Sequence, residues 1–200
     1  MSDSPSGRAK YAVVERERRW LVDPAVAADV LGRSDDSRRL RIADRYVRGT
    51  RLRLRTVTAH DGAVVTKLGH KVAVDPEPPS RIEHTSLYLD AAEAELLAAL
   101  PADTLTKDRH RLDHGGWALA LDVFTGRHAG LVLVEVDLGA GDGTAVAPPP
   151  FPVVAEVTAD HAFTGGALAK MDSGGLDELV AGYRVSGEDA WTAWRPTPTP

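Results

Sequence analysis

Charged side chains recur at alternate positions in several segments of this 200-residue chain. Alternate side chains of a β-strand project from the same face, so each of these segments has one charged face if it is a strand. The bases placed in this way are Arg19, Arg51, Arg53, Arg55, Lys67, Lys71, Arg81, Lys107, Arg109 and Arg111, and the acids are Glu15, Glu17, Glu83, Asp122, Glu135 and Asp137.

The two sets suit complementary chemistry. Arginine presents a bidentate fork to phosphate oxygens, and lysine presents a compact positive charge. Paired carboxylates on one side of a strand suit a hard divalent cation, because Mg²⁺ typically takes one or two carboxylates together with substrate phosphate oxygens. Ten bases against six acids give this set an excess of four positive charges, although the whole chain has a formal net charge of −5.

Two arrangements would accommodate these charged faces. In one they are solvated outer faces that form surface salt bridges, and the acids serve only as partners of the arginines. In the other they point into a polar interior. Because the pattern recurs on strand after strand and the opposite faces are often apolar, the second arrangement is favoured. The predicted fold is α+β and mainly antiparallel: an eight-stranded closed β-barrel with a charged interior and a few flanking helices.

The elements that would position these residues follow from periodicity, turn residues and helix caps. Asp23 and Pro24 begin a helix that Gly32 ends, and Asp90 with Glu93 forms the capping box of a second helix over 91–100. Asp61-Gly62 is a hairpin signal. Strands are predicted over 11–22, 46–58, 63–72, 81–89, 104–113, 117–124, 131–138 and 155–158, further helices near 161–171 and 175–183, a connector over 75–80, and loops over 33–45 and 139–152.

Length and composition predict one domain over 10–183, with a disordered tail over 1–9 and a loose tail over 184–200. Cysteine is absent, and no apolar run has the length of a membrane span, so a cytoplasmic protein is expected. The acidic balance argues against nucleic acid as a partner, and no membrane partner is expected. A monomer and a homodimer both stay open. The seven histidines are scattered, so surface or structural roles are expected for them.

The residues of the first charged strand resemble a known signature. Glu15-Arg16-Glu17-Arg18-Arg19 is similar to the Glu-x-Glu-x-Lys signature of CYTH domains, the triphosphate tunnel metalloenzymes. Further motifs follow in that family's order over residues 12–170: Arg53-x-Arg55, Lys67-x-Gly69, Arg81-x-Glu83, Lys107-x-Arg109, Asp122-x-Phe124-x-Gly126, Gly130-Leu131, Glu135-x-Asp137 and Glu156-Val157-Thr158. The chain departs from the pattern at Arg19, which replaces the signature lysine, and at 163–166, where some members carry Tyr and Asn.

The resemblance implies an eight-stranded tunnel that binds a triphosphate with Mg²⁺ or Mn²⁺. The expected function is a metal-dependent phosphohydrolase that cleaves the terminal phosphate of a short polyphosphate, foremost inorganic triphosphate. A class IV-type adenylyl cyclase, a thiamine triphosphatase and a non-catalytic sensor of polyphosphate ligands are the alternatives. The expected roles are catalysis for Arg19 and Lys67, phosphate binding for Arg53, Arg55, Lys67, Arg81, Lys107 and Arg109, metal binding for Glu15, Glu17, Glu135 and Asp137, and additional acids at Glu83 and Asp122.

Overall fold

A computed structural model describes residues 11–35, 38–73, 82–114, 117–138 and 149–191, with the backbone alone at 14, 73, 114, 117 and 185–191. Strands are its main secondary structure, and they pair in antiparallel fashion within one sheet of order β1-β6-β5-β4-β3-β7-β8-β9-β2-β10. The strands are β1 Val13–Glu15, β2 Glu17–Leu21, β3 Arg39–Val47, β4 Leu52–Ala59, β5 Val64–Ala73, β6 Ile82–Leu89, β7 Ala102–His114, β8 Trp117–Thr125, β9 Val132–Asp137 and β10 Ala155–Glu156.

The first charged strand is split, and its two parts lie far apart in the sheet order. Arg16 alone separates β1 from β2, yet β1 pairs with β6 and β2 pairs with β9. The sheet must therefore curl until both regions meet the segment 13–21. Within the described residues the hydrogen-bonded ladder does not run full circle, since β1 and β2 do not pair with each other. The mainly antiparallel fold is confirmed, and closure of the barrel is not.

One strand was not predicted. β3 lies mostly within the segment 33–45, for which a loop was expected, and the strand predicted over 46–58 is in fact the end of β3 followed by β4. A turn at Gly49, whose φ of 74° favours glycine, separates them. The pattern of β3 was obscured by Asp44, which is buried because it pairs with Arg55 of the neighbouring strand. Two predicted connections, at 75–80 and over most of 139–152, lie outside the described residues.

The helices begin where the capping residues predict. The Asp23 carboxylate accepts a hydrogen bond from the amide of Ala25 at 2.8 Å and caps α1, Pro24–Gly32. The predicted capping box of Asp90 and Glu93 is formed at α2, Ala91–Ala98. α3 is Gly165–Leu168. None of the helices in the described ranges is long and apolar enough to cross a membrane.

The last helix, α4, is longer than predicted. It spans Ser173–Trp191, so it continues past the predicted end at 183 and into the segment 184–200 that was expected to be loose. Its glycines weakened the sequence signal, because glycine is a poor helix former. Packing compensates for them: Leu176 is buried, and Leu179, Val180 and Tyr183 pack against the same apolar cluster at helical spacing.

Apolar residues form two clusters on opposite faces of the sheet. Trp20 and Val134 belong to the cluster that α1 covers, whereas their neighbours Leu21 and Leu133 belong to a second cluster on the charged face. We call this second cluster the apolar floor. Its buried members are Leu21, Leu105, Phe124, Leu131, Leu133, Val157, Phe163, Leu168, Ala169 and Leu176. One end of the charged face is therefore covered by apolar side chains from α3, α4 and the residues before them.

The segment 163–166, where the chain departs from the CYTH pattern, forms part of this floor. Phe163 is buried there, and Thr164 caps α3. Gly165 approaches β3 so closely that an added Cβ would lie 2.0 Å from the hydroxyl oxygen of Tyr46. The small residue is needed because the Tyr46 ring fills the space that a side chain would take.

Candidate functional site

The buried charges on one side of the site are paired with one another. Asp122 is 0% exposed and accepts hydrogen bonds of 2.7 Å from Nε and Nη2 of Arg109, and it also accepts from the ammonium group of Lys107. Glu135 lies 2.5 Å from Arg109 and 2.8 Å from Nε of Arg19. We call these five residues, from β2, β7, β8 and β9, the paired wall. Every cation in it contacts at least one carboxylate.

Electrostatics keep Glu135 of the paired wall ionised. Burial on its own would raise the pKa of Glu135, but Arg19, Lys107 and Arg109 hold it well below its usual range. Burial also lowers the pKa of Lys107, although the neighbouring Asp122 opposes that change. Because an ion pair this deeply buried is strongly destabilised by loss of one partner, the paired wall is expected to matter for folding as well as for any ligand.

The cations of β4 and β5 have fewer acidic partners. Asp44 accepts two hydrogen bonds of 2.6 Å from Arg55, whereas Nε of Arg53 lies 3.8 Å from Asp44. Among the described residues, that buried Nε has no hydrogen-bond partner, and the ammonium group of Lys67 makes no ion pair. We call Arg53, Arg55 and Lys67, from β4 and β5, the open wall. Three cations here are matched by one acid.

The cations of the open wall repel one another. Burial lowers the pKa of Lys67, and the positive charges of Arg55 and Arg53 lower it further. Such mutual repulsion is relieved when a polyanion binds. The two walls lie within electrostatic reach of each other, since Arg55 also contributes to the lowered pKa of Lys107, after burial and Arg109. An anion held by the open wall would therefore lie near the paired wall.

A third group connects the ends of the sheet. The Glu15 carboxylate lies 2.7 Å from Nζ of Lys71 and 2.6 Å from Nδ1 of His84. Burial alone would raise the pKa of Glu15, but His84 and Lys71 lower it to about 2. Nε2 of His84 lies 3.2 Å from the hydroxyl of Ser86. Gly69 on β5 makes room for this ring, because a Cβ there would lie 2.9 Å from Nε2.

Most of the predicted site residues are brought together. Glu17 lies 3.2 Å from Arg19 and 4.0 Å from Lys71, which joins the third group to the paired wall. Asp137 is exposed and lies directly opposite Glu17 in the register of β2 and β9. The bases that the structure gathers are Arg19, Arg53, Arg55, Lys67, Lys71, Lys107 and Arg109, and the acids on the same face are Glu15, Glu17, Asp44, Asp122, Glu135 and Asp137.

Several predictions need correction. Glu83, expected on the charged face, lies on the opposite face, because His84 is the residue of β6 that pairs with Lys71. Arg51 and Arg111 are exposed, and Arg81 lies outside the described residues. Seven gathered bases against six acids give an excess of one positive charge, where four were expected. The predicted excess was too large because Arg51, Arg81 and Arg111 are not among the gathered bases, whereas the gain of Asp44 and the loss of Glu83 cancel in the count of acids.

Asp44 and His84 are the site residues that sequence reasoning missed. His84 was grouped with the scattered histidines, yet it is buried against Glu15. The sequence did contain a signal for this position. His84 and Ser86 are polar residues at alternate positions of one strand, and Gly69 of the neighbouring strand has no side chain to fill the space of the His84 ring. No equivalent signal marked Asp44, since its burial depends on Arg55 from another strand.

The predicted set of four metal ligands is not assembled. Across the ranges that the structure describes, no three carboxylate or histidine side chains are gathered in the way a metal site requires. Glu15 and Glu135 contact cations, as described above. Glu17 and Asp137 are better placed, since residues directly opposite each other on paired strands have neighbouring side chains. Two carboxylates fit Mg²⁺ or Mn²⁺ when phosphate oxygens supply further ligands.

Comparison with known proteins gives likenesses at the level of fold. The chain matches no family model and no curated protein. Two solved structures of NE1496, one described as a hypothetical protein and one as the inorganic triphosphatase NE1496, are both 24% identical, with TM-scores of 0.50 and 0.48. The alignments cover 79% and 78% of this chain and 99% and 95% of theirs. A proposed adenylate cyclase from Bacillus halodurans is 15% identical over 94% of this chain and 96% of its own, with a TM-score of 0.46.

The architecture and the order of the charged motifs define the class. The chain has the fold of a CYTH domain, as the signature around Glu15 and Glu17 predicts. What such a domain does in this chain depends on the side chains of its site.

Proposed function

We propose that this chain is a metal-dependent phosphohydrolase that cleaves the terminal phosphate of a short polyphosphate, inorganic triphosphate being the simplest one. The observation that carries the proposal is the open wall. Three cations face one acid: Nε of Arg53 lies 3.8 Å from Asp44, and the ammonium group of Lys67 makes no ion pair among the described residues. Orthophosphate is compact and spans fewer of these cations than a chain of phosphates does.

An enclosed tunnel would strengthen the binding of phosphate oxygens by these cations. The segment 13–21 contacts both regions of the curled sheet, and we propose that the sheet thereby encloses the two walls. In an enclosed site, Lys67 and Arg53 would bind phosphate oxygens with little competition from water, so charge developing on the reacting phosphate would be stabilised strongly. Arg19 stays protonated, so it acts as a fixed positive charge and not as a proton acceptor.

Glu17 and Asp137 are the residues that would hold Mg²⁺ or Mn²⁺. They share a face at the more exposed side of the paired wall, and Arg19 next to them holds Glu17 in place. When bound, the metal would supply charge neutralisation for the phosphate chain. Glu15 and Glu135 complete the ligand set that the resemblance implies, and in this proposal they act chiefly as counterions that orient Lys71, Arg19 and Arg109.

Phosphate release tests the proposal directly. The chain, its Lys67→Met variant and the control Lys170→Met, which removes an exposed lysine, are assayed with triphosphate and Mg²⁺ or Mn²⁺. Loss of one charge-assisted hydrogen bond, about 1.5–3 kcal/mol, predicts a fall in kcat/KM of about 10–150-fold for Lys67→Met only. A wild-type chain that releases no phosphate from triphosphate with either metal would contradict the proposal.

A sensor that binds polyphosphate without turnover is the second candidate. The observation that favours it is the engagement of Glu15, Glu17 and Glu135 by cations, so that these predicted metal ligands already serve as counterions. Such a protein would bind triphosphate through the open wall and release no phosphate. The assay above, combined with a binding measurement on the same samples, separates the two.

A further inference from the structure

A hydroxyl, an imidazole and a carboxylate follow one another in the group around Glu15. Ser86 and His84 are alternate residues of β6, so their side chains share a face, and Oγ of Ser86 lies 3.2 Å from Nε2 of His84. Nδ1 of the same ring lies 2.6 Å from the Glu15 carboxylate. A nucleophile, a proton acceptor and a group that orients the acceptor are thus linked in series, as in enzymes that form covalent intermediates.

The carboxylate determines which nitrogen of the ring carries the proton. Burial alone would raise the pKa of Glu15, but His84 and Lys71 lower it to about 2, so the ionised carboxylate only accepts hydrogen bonds. Nδ1 of His84 therefore donates to Glu15, and in the neutral ring the lone pair is at Nε2. The hydroxyl of Ser86 donates to that lone pair.

Ser86 lies beside the open wall, across a position that has no side chain. Arg53 of β4 lies opposite Gly69 of β5, and Gly69 lies opposite Ser86. Lys67 and Lys71 are two residues before and after Gly69, so they share its face. Ser86 therefore adjoins a space that three cations border and that no side chain of Gly69 fills.

The contact between Ser86 and His84 is not needed to satisfy a buried group. Ser86 is exposed, so water can bond its hydroxyl, and the fold does not require His84 as a partner for it. Gly69 is required for the ring, because an added Cβ would lie 2.9 Å from Nε2 of His84. The chain therefore makes room for a ring nitrogen directly behind an accessible hydroxyl.

We propose that Ser86 is a covalent phosphoryl acceptor, which takes the terminal phosphoryl group of the polyphosphate and passes it to water. This inference rests on the proposed function of the open wall. In the first step the bond from Oγ of Ser86 to the terminal phosphorus forms, and the bond from that phosphorus to the bridging oxygen breaks. The proton of Ser86 moves to Nε2 of His84, and with triphosphate the leaving group is diphosphate.

The second step restores the free serine. The oxygen of a water molecule forms a bond to phosphorus as the bond from phosphorus to Oγ of Ser86 breaks. His84 returns its proton to Oγ, the hydroxyl of the water stays on the orthophosphate, and the remaining proton passes to solvent. The cations around Gly69 would stabilise the negative charge that both displacements place on phosphate oxygens.

The configuration at phosphorus tests the acceptor. The full chain is given Mg²⁺ or Mn²⁺ and a triphosphate whose terminal group is a thiophosphate made chiral with oxygen isotopes. Each in-line displacement inverts phosphorus, so transfer to Ser86 followed by transfer to water should release thiophosphate with retained configuration. This result does not depend on how long the phosphoserine lasts. Inverted product would show direct attack by water and would overturn the proposal.

Variants assign the step to Ser86. Ser86→Ala should lower phosphate release from triphosphate by more than about 100-fold and leave triphosphate affinity in metal-free buffer unchanged. Thr85→Val is the matched control, because it removes the adjoining hydroxyl on the opposite face of β6. Since Ser86 is exposed, its truncation should change the melting temperature by less than about 2 °C. Release at the wild-type rate from Ser86→Ala would overturn the proposal.

His84→Gln tests the proton acceptor. Glutamine offers an amide in place of the imidazole but cannot take the proton of Ser86, so phosphate release should fall by about 10²–10⁴-fold. Triphosphate affinity, which depends on the cations, should stay within about twofold of the wild type if the variant is folded. Undiminished release by a folded His84→Gln chain would remove His84 from the transfer.

These results separate failure of the acceptor from failure of the proposed function. Phosphate release with inversion, or release that survives Ser86→Ala, overturns the acceptor and leaves the phosphohydrolase standing. If the chain binds triphosphate but neither releases phosphate nor gains a phosphoryl group on Ser86, the acceptor fails and the polyphosphate sensor is favoured. If triphosphate does not bind at all, the proposed function fails and the acceptor with it.

Discussion

The paired wall and the open wall are built from the same residue types at the same spacing, yet they differ in charge balance. In the paired wall, Arg19, Lys107 and Arg109 each contact a carboxylate. In the open wall, Lys67 has no such contact among the described residues, and Arg53 has only a distant one. Alternating arginines in a strand therefore do not by themselves distinguish cations with a close carboxylate partner from cations without one. The acids on the neighbouring strands make the difference.

The largest expected effect is a loss of stability when one cation of the paired wall is removed. Arg109→Met would leave buried Asp122 with Lys107 as its remaining partner. Removing one partner of a buried ion pair costs about 3–5 kcal/mol, which for a chain of this length lowers the melting temperature by roughly 6–20 °C. Thermal unfolding monitored by circular dichroism measures this. A fall smaller than that of an exposed control, Arg33→Met, would show that the wall contributes nothing to stability.

The next largest expected effect is a rise in melting temperature when triphosphate binds to the open wall. A ligand that binds only the folded chain stabilises it by about 2.7 kcal/mol at a concentration of one hundred times Kd, which is a rise of roughly 5–10 °C in melting temperature. Triphosphate should produce this rise even without metal, whereas sulfate and orthophosphate at matched ionic strength should do much less. Equal shifts from all three anions would mean that the cations behave as an ordinary solvated surface.

Lys67→Met should show how the walls differ in stability. The substitution removes a charge that Arg53 and Arg55 repel, so the free energy of unfolding should stay unchanged or rise by up to about 1 kcal/mol. The same variant should lose most of the triphosphate-induced rise. The comparison with Arg109→Met breaks down if Lys67→Met destabilises the chain to a similar extent.

The smallest expected effect is the pH dependence carried by Glu15. Its pKa in the folded chain is about 2, below the ordinary 4.5, so ionised Glu15 stabilises the fold above pH 4.5 and that contribution disappears as the pH falls towards 2. The melting temperature of Glu15→Gln should therefore lie below that of the wild type at neutral pH, with the two converging on acidification. A difference that widened in acid would contradict this role.

The sequence was informative where a pattern is local. The alternation in β7 and β9 correctly placed Lys107 and Arg109 with Glu135, and both helix caps were found because capping depends on residues within one turn. In β6 the segment 81–89 has no clear apolar period, so nothing fixed the register, and a slip of one residue exchanges the two faces. This is why Glu83 was expected where His84 lies.

Long-range contacts account for what could not be predicted. The apolar floor combines Leu21 and Leu133 with Phe163 and Leu168. In their strands, Leu21 and Leu133 lie on the same face as the charged residues Arg19 and Glu135, so alternation alone predicts a charged environment for them. Only the position of α3 explains why the face becomes apolar there. Burial of Asp44 depends in the same way on Arg55, eleven residues further along the chain.

The single residue between β1 and β2 has a consequence for the order of folding. Through this segment Glu15 meets His84, 69 residues away, and Arg19 meets Glu135, 116 residues away. Contacts between residues so distant in sequence form slowly, because the chain loses loop entropy before they stabilise it. The strands β3 to β6 and β7 to β9 form hairpins from neighbouring segments, whereas the pairing of β3 with β7 and the docking of β1 and β2 join distant segments. We therefore expect these long-range pairings to form after the hairpins. During synthesis β1 and β2 would be made before β3 to β9 and yet be among the last to find their partners.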